Sequence, residues 1–531
     1  MTSAAFWMFG LALAYTLLLI GMSQIARKKA QAGEDFFVGG RQFSRWTVAF
    51  CITGLFSGST YIAILELSYL TGISAVWYGV AELTHVLIIA LVLIGPFRKR
   101  MMVTISGLIG DKYGRMAKGI AGAITAITFP MWSVATALAF ASCINALTGL
   151  DMLASVVITA ALMYVFLSAG GMWSVAMTQT ANFFVFMAMF GVAIYAIYVN
   201  PGYDALTAFL QTNAKYGGLT SVGLQTILAW FGTFLINVLL AQAAFQMSLS
   251  CKSADEGRRG LLIAAGFNVI FIVMGVLVGV AAAIAVPNLG RGLVAVPKYL
   301  METLPAPLVG LFTLGIWACA LGWGAPCQFS GATSLGRDVG SALFPDAADD
   351  RLVRFTRFAL LALTVLMILL GYLRSEQAAW WNIFAWTARN GATFAPMVAA
   401  LFWGVATPFA AVTALVAGCG AGLVWNWMGD WAVNSFYLTV HPVWVAMAAN
   451  ILGITVASLA ERGWVWVNPR GGAALLRNGS LLATGILLVV LIAAGTRLYE
   501  TGLWGMTAFL AVLFAWIALI LSTDRPQHTI L

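Results

Sequence analysis

Apolar stretches of about twenty residues alternate along the chain with short polar segments that hold most of the charged residues. About 20 apolar residues in a helix cross a bilayer core, so this pattern predicts membrane-spanning helices. Long unbroken runs such as Met152–Ala169 exclude the short alternating strands of a transmembrane barrel. Fifteen spans are predicted, at residues 4–25, 46–71, 75–97, 119–148, 152–169, 174–199, 223–249, 261–286, 308–335, 356–373, 379–403, 408–428, 441–460, 479–498 and 504–522.

The composition excludes an ordinary water-soluble protein. The 531 residues are 61% hydrophobic and 9% charged, whereas soluble domains carry about 25% charged residues. The polar segments are too short to form a separate soluble domain. We therefore predict a single all-α polytopic membrane domain over residues 1–531.

The net charge of +9 is a signal of membrane topology. With the N-terminus outside, 22 of the 28 Lys and Arg residues fall in predicted inside segments, which is the bias expected of cytoplasmic loops. The first apolar run lacks a preceding basic residue and is followed by a basic cluster, so it is predicted to stay as a helix rather than to be a cleaved signal peptide. We expect an outside N-terminus, an inside C-terminus and no nucleic-acid partner.

The sequence shows no arrangement of residues that is typical of a catalytic site. Six cysteines and three histidines are scattered, without the spacing of metal ligands, and no glycine-rich phosphate loop follows a plausible strand. We therefore predict neither an enzyme nor an ATP-driven pump, and no cofactor beyond a coupling ion. The 54 glycines favour close helix packing and broken helices, which are frequent in transporters.

A series of short motifs carries a family resemblance. In chain order they are Phe36-Phe37-Val38-Gly39-Gly40-Arg41 with Trp46 and Ala49, Ser57-Gly58 with Tyr69, Gly72 and Trp77, Arg98 to Thr104 with Tyr113-Gly114, Gly170-Gly171 with Val175-Ala176 and Thr178, Gln242 and Gln246 before Cys251-Lys252-Ser253, Asp338, and Gly391 to Trp403 with Thr407. Their order over roughly residues 34–430 resembles the sodium:solute symporter family.

The resemblance implies a LeuT-type fold with a 5+5 inverted repeat. The ten-helix core would cover about residues 46–403, with an extra helix at 4–25 before it and additional helices at about 408–522 after it. The implied function is import of a small polar organic solute by alternating access, in a bacterial-type cytoplasmic membrane. The partners would be the solute and the lipid bilayer, and the oligomeric state stays open, a monomer included.

The resemblance also implies that two core helices are broken at mid-membrane, where backbone groups face the ion and the solute. The first break is predicted at Thr53–Ser59, a cluster rich in Ser and Gly. Ser57 and Gly58 are then predicted to contact the solute, and the carbonyls of Thr53 and Phe56 to face an ion. Gln242, in the family's Q-x-x-x-Q segment, is a further predicted solute contact.

Three positions depart from the family pattern for sodium. Two adjacent hydroxyl residues are usual in the eighth core helix, and here they are Gly322 and Trp323. The acid of a Thr-Asp pair is here Gln179. A hard cation needs several oxygen ligands, so sodium would need substitutes such as Ser330 or Gln328, and a proton is the alternative coupling ion.

Intramembrane acids are the candidates for proton coupling or solute binding. Glu66 and Glu82 lie within predicted spans, and His85 is one helical turn after Glu82. Burial of a carboxylate costs several kcal/mol unless the group is paired or used. The alternative is that Glu82 and His85 only satisfy each other or a neighbouring backbone group.

Arg389 is the basic residue predicted at mid-membrane. Its guanidinium could hold a solute carboxylate, or it could form a salt bridge to Glu66 or Glu82. With acids nearby, it favours a zwitterionic or carboxylate-bearing solute, and Trp323 is predicted to line the cavity. Two other functions stay open, a transporter-like membrane sensor and an uncoupled facilitator.

Overall fold

The structure is a computed structural model that describes residues 2–27, 37–99, 104–167, 171–375, 378–432, 436–461 and 463–524. Some residues used above lie outside these ranges: the motif residues Phe36 and Gly170, and the basic residues Lys28, Lys29, Arg100, Arg462 and Arg525.

The described part of the chain is almost entirely helical. In chain order the α-helices are α1 (Ser3–Arg27), α2 (Arg45–Ile52), α3 (Gly58–Thr71), α4 (Val76–Ile88), α5 (Ile94–Lys99), α6 (Ile105–Tyr113), α7 (Arg115–Thr148), α8 (Met152–Leu167), α9 (Gly171–Val199), α10 (Tyr203–Thr212), α11 (Ala214–Gly217), α12 (Leu224–Asn237), α13 (Gln242–Ser248), α14 (Ala254–Ala285), α15 (Gly292–Thr303), α16 (Ala306–Thr333), α17 (Gly340–Leu343), α18 (Asp349–Leu373), α19 (Ala378–Phe402), α20 (Pro408–Met428), α21 (Pro442–Glu461), α22 (Gly472–Ala493), α23 (Gly495–Glu500) and α24 (Trp504–Ser522).

Shorter segments connect some of these helices. Three are π-helical, at Thr53–Ser57, Ile89–Leu93 and Ser334–Val339, and three are 3₁₀ turns, at Gly39–Arg41, Gly72–Ala75 and Tyr437–Thr439. Two strands, β1 (Val465–Trp466) and β2 (Thr523–Asp524), pair antiparallel with Val465 opposite Asp524.

The all-α membrane architecture predicted from the hydrophobic pattern is confirmed, but the count of 15 spans is not. Among the described residues, 11 helices are long and apolar enough to cross a membrane, or up to 12 with α12 and α13 as one bent span. One difference is that the predicted spans 46–71 and 75–97 form a single apolar stretch, Arg45–Lys99. Another is that α8 has only 16 residues.

Several helices begin at a polar residue that caps the first turn. Ser44 accepts a hydrogen bond from the Thr47 amide ahead of α2, and Thr104 does the same for the Gly107 amide ahead of α6. Such side chains satisfy backbone N–H groups that the helix itself leaves unbonded. The polar segments of the sequence therefore also supply the helix starts.

The chain divides into two compact units, and the first comprises Met1–Val103, Phe129–Arg337 and Asp346–Ile383. Within it, α14 packs along α2, α3 and α4, while α16 packs against α1 and α9. Nearly the whole of α16 is buried in the protein. This unit contains the predicted helix break and the predicted membrane acids.

The second unit comprises Thr104–Thr128, Asp338–Pro345 and Phe384–Leu531. Here α20 packs against α21, and α22 packs against α24. The Asn450 side chain joins three helix segments: its Nδ2 donates to the carbonyls of Ala392 (2.7 Å) and Ala414 (2.9 Å), and its Oδ1 accepts from the Ala395 amide (2.6 Å). The part of α19 that carries Arg389 is thereby tied to α20 and α21.

Candidate functional site

The predicted interruption of the second span is present as a π-helical segment over Thr53–Ser57 rather than as unwound chain. The Gly58 amide donates to the Thr53 carbonyl and so widens the helix by one residue. Gly58 also faces α16 closely, since a Cβ built on it would lie 3.4 Å from Cys319 Cα. π-Helical bulges of this kind are frequent at functional sites.

Gln179 of α9 is inserted between this segment and α16. Its Nε2 donates to the Gly322 carbonyl at 2.6 Å, and its Oε1 accepts from Asn182 Nδ2 at 3.1 Å. Asn182 Oδ1 in turn accepts from the Tyr15 hydroxyl at 2.8 Å. A Cβ built on Gly54 would overlap Gln179 Oε1, so the glycine makes room for the amide.

The other side chains at or near the departures from the sodium pattern contact neighbouring helices. Trp323 Nε1 donates to the Trp132 carbonyl at 3.1 Å. Ser330 Oγ donates to Gln246 Oε1, and Gln328 Nε2 contacts Met367 Sδ at 3.2 Å. Ser330 Oγ is therefore engaged by a neighbour, whereas Gln328 Oε1 has no hydrogen-bond partner among the described residues.

Aromatic rings surround the predicted solute contacts of the first unit. The Phe56 ring lies edge-on to His85, with centroids 5.1 Å apart, and 6.1 Å from Trp323. Beyond them, Phe234 lies 5.9 Å from His85, and Trp132 lies 6.2 Å from Trp323. The structure thus brings together Phe56, His85 and Trp323, which the sequence proposed separately.

A chain of hydrogen bonds fixes these rings across four helices. Trp323 on α16 donates to Trp132 on α7, and Trp132 Nε1 donates to the Asn382 carbonyl on α19 at 3.2 Å. Asn382 Nδ2 then lies 3.5 Å from the Tyr78 hydroxyl on α4. The sequence did not single out Trp132, Asn382 or Tyr78, because nothing in their local patterns distinguishes them from packing residues.

Glu82 lies on the same face of α4, between Tyr78 and His85. All three side chains are buried, and Glu82 is only 1% exposed. Its Oε2 has no hydrogen-bond partner among the residues that the structure describes. Tyr78 and His85 both contact the Phe234 ring, at 5.4 and 5.9 Å, so the carboxylate is placed in an aromatic environment.

Glu66 is engaged differently from Glu82. Its Oε1 and Oε2 accept the amides of Ala378 (3.3 Å) and Ala379 (2.9 Å). These are the first amides of α19, where the helix dipole favours a negative charge. The carboxylate that was predicted to contact the solute therefore caps a helix, although it also lines a small cavity with Ser59 and Asn382.

Replacing Glu66 by Gln should destabilise the protein by about 1 to 2 kcal/mol, because a neutral amide loses the charge-assisted bonds and turns an NH₂ group toward one backbone N–H. The midpoint of thermal unfolding in detergent would measure this. Glu302→Gln is the matched control, since Glu302 is exposed on α15. An unchanged midpoint for the Glu66 variant would contradict the capping role.

The remaining predicted contacts are buried, in two different places. Gln242 opens α13 after a bend of 49° from α12, and its Nε2 donates to Ser334 Oγ (2.9 Å) and to the Ser330 carbonyl (3.2 Å). This bend is a second broken helix, which sequence patterns did not locate. Ser57 is 1% exposed in the first unit, and Arg389 is 3% exposed within the second.

Comparison with known proteins gives a family match over most of the chain. Residues 36–418 match the model of the sodium:solute symporter family. The human high affinity choline transporter 1 is 25% identical over 50% of this chain and 48% of its own length, so that alignment spans about half of that relative. The sodium/pantothenate symporter of Escherichia coli is 21% identical over 84% of this chain and 95% of its own.

A solved structure agrees with the fold. The substrate-bound, outward-open structure of a Na⁺-coupled sialic acid symporter superposes with a TM-score of 0.70 at 14% identity, covering 86% of this chain and 98% of that one. A likeness at this identity establishes the fold, which is of the LeuT type.

Proposed function

The chain belongs to the sodium:solute symporter family, a family of transporters, and on that premise we propose that it imports a small organic solute carrying a positively charged nitrogen. The solute would bind in the first unit, with its nitrogen beside Glu82 and the rings of Phe56 and Trp323. Alternating access across the membrane would then release it on the other side.

The observation that carries the proposal is the Glu82 carboxylate. It is 1% exposed, and its Oε2 has no hydrogen-bond partner within the described ranges. A buried carboxylate with an unbonded oxygen is costly in free energy, so this position favours a cation that can reach it. An ammonium group of a solute offsets this cost, and a proton on the same carboxylate is the alternative.

The aromatic rings favour the organic cation over the bare proton. Indole and phenyl faces attract ammonium groups, by about 2 kcal/mol or more when the pair is desolvated. The two named relatives handle solutes of opposite charge, since choline is a cation and pantothenate a carboxylate. A buried carboxylate among aromatic residues repels the second and suits the first.

Arg389 remains, separately, a proposed contact for a solute carboxylate. It is 3% exposed on α19, within the second unit, and a guanidinium binds carboxylates through two parallel hydrogen bonds. Ser57, Gly58 and Gln242, all buried in the first unit, remain proposed solute contacts.

The orientation is proposed from the charge distribution. The N-terminus would be outside and the C-terminus inside, in a bacterial-type cytoplasmic membrane, because most basic residues then face the cytoplasm. The coupling ion would be sodium or a proton.

The proposal is tested by the thermal stability of the purified protein with choline, proline or pantothenate at constant pH and ionic strength. A ligand at 100 times its Kd stabilises the folded state by about 2.7 kcal/mol. We expect stabilisation by choline or proline, which both carry a positively charged nitrogen, and none by pantothenate. Stabilisation by pantothenate alone would contradict the assignment of a cationic solute.

A further inference from the structure

The space between Gly54 and Gly322 is filled by a side-chain amide. Gln179 reaches it from α9, with Nε2 2.6 Å from the Gly322 carbonyl oxygen. A Cβ built on Gly322 would lie 2.5 Å from the Gly54 carbonyl oxygen and 3.4 Å from Gln179 Oε1. The amide therefore fits between Gly54 and Gly322 because neither residue has a Cβ.

The hydrogen-bond partners fix which way this amide points. The Gly322 carbonyl can only accept, so the NH₂ group must face it. Oε1 is then held by Asn182, whose own Oδ1 accepts from the Tyr15 hydroxyl. The chain from α1 through α9 to α16 is closed at every step and buried in the first unit.

The family resemblance implies a sodium ion in this space between Gly54 and Gly322. The groups that line the space do not fit a sodium ion. The Gly322 carbonyl accepts the amide of Gln179, and the Thr53 carbonyl accepts that of Gly58. Thr53 Oγ1 has no partner in the part of the chain that the structure describes. One hydroxyl is far from the several oxygens that a hard cation requires.

We propose that the Gln179 amide takes the place of a sodium ion in this protein and links α9 to α16 beside Gly54 of the π-helical segment Thr53–Ser57. The amide donates to the Gly322 carbonyl, which a cation would otherwise attract, and as part of a side chain it cannot leave the protein. Sodium then has no role at this position, and any ion dependence of uptake arises elsewhere. The inference deepens the proposed function by addressing its coupling ion.

The test compares melting midpoints in sodium and potassium chloride at equal ionic strength, for wild type and for Gln179→Asp. Aspartate is one methylene shorter, so it leaves room for a cation and supplies a carboxylate in place of a donor. We expect a sodium-specific rise for Gln179→Asp that is several degrees larger than any in the wild type. A folded Gln179→Asp that responds to sodium no more than the wild type, or a sodium-specific rise in the wild type that Gln179→Ala abolishes, would overturn the proposal.

A double-mutant cycle keeps the test decisive if Gln179→Asp does not fold. Gly54→Ala should lower the melting midpoint in the wild type, because its methyl group overlaps Gln179 Oε1, and should be nearly neutral in a Gln179→Ala background. Equal effects in both backgrounds would mean that the amide is not inserted there.

These outcomes are separable from those of the proposed function. All of them are measured without solute, so they hold whether or not choline or proline binds. Conversely, solute stabilisation that is equal in sodium and in potassium would support both proposals, whereas a sodium requirement that Gln179→Ala removes would support the transporter and overturn the role of Gln179.

Discussion

Glu82→Gln should abolish solute-dependent stabilisation and uptake while making the empty protein more stable. Loss of the counter-ion should weaken binding of a cationic solute at least about 100-fold, equivalent to about 2.7 kcal/mol. The solute-free protein should gain about 1 kcal/mol or more, because a neutral amide is cheaper to bury than a carboxylate whose Oε2 lacks a hydrogen-bond partner. Binding of choline or proline and the melting midpoint measure the two effects.

The Gln variants of Glu66 and Glu82 are expected to change the stability of the protein in opposite directions, which makes this result specific. Glu66 has two backbone amides as partners, so its replacement by Gln should lower stability, whereas that of Glu82 should raise it. Glu302→Gln, exposed on α15, should change neither stability nor binding. If Glu82→Gln binds the solute as tightly as the wild type, the carboxylate is not the counter-ion of the solute.

The family and the all-α fold were predictable from sequence because both depend on patterns that a single chain displays. Twenty-residue apolar runs report the hydrophobic thickness of a bilayer, and the ordered motifs are confirmed by the match over residues 36–418. The helix count was not predictable to the same degree. A 3₁₀ turn at Gly72–Ala75 joins two predicted spans into one apolar stretch, and hydropathy does not distinguish such a turn from a loop.

The site was only partly accessible from sequence. The substitution at Gln179 signalled a changed ion position, but not that its amide would donate to Gly322, because that contact joins residues 143 positions apart. The same holds for Trp132, Asn382 and Tyr78, which fix the rings through contacts between different helices. Intramembrane acids were recognisable by type, whereas only the structure distinguishes the capped Glu66 from Glu82.

Helices α19 and α20 approach each other closely at Gly418, and a side chain there should be strongly destabilising. A Cβ on Gly418 would overlap the Gly391 carbonyl oxygen and lie 2.7 Å from Asn450 Cβ. Gly418→Val should therefore cost more than about 3 kcal/mol, since backbone on one side and a fully bonded side chain on the other cannot move aside cheaply. The yield of monodisperse protein and its melting midpoint would measure this.

Gly420→Val provides the matched control, because nothing lies within 4 Å of a Cβ built on Gly420, which is on the same helix. Both variants change helix propensity equally. A difference between the melting midpoints of Gly418→Val and Gly420→Val therefore reports the close approach of α19 to α20.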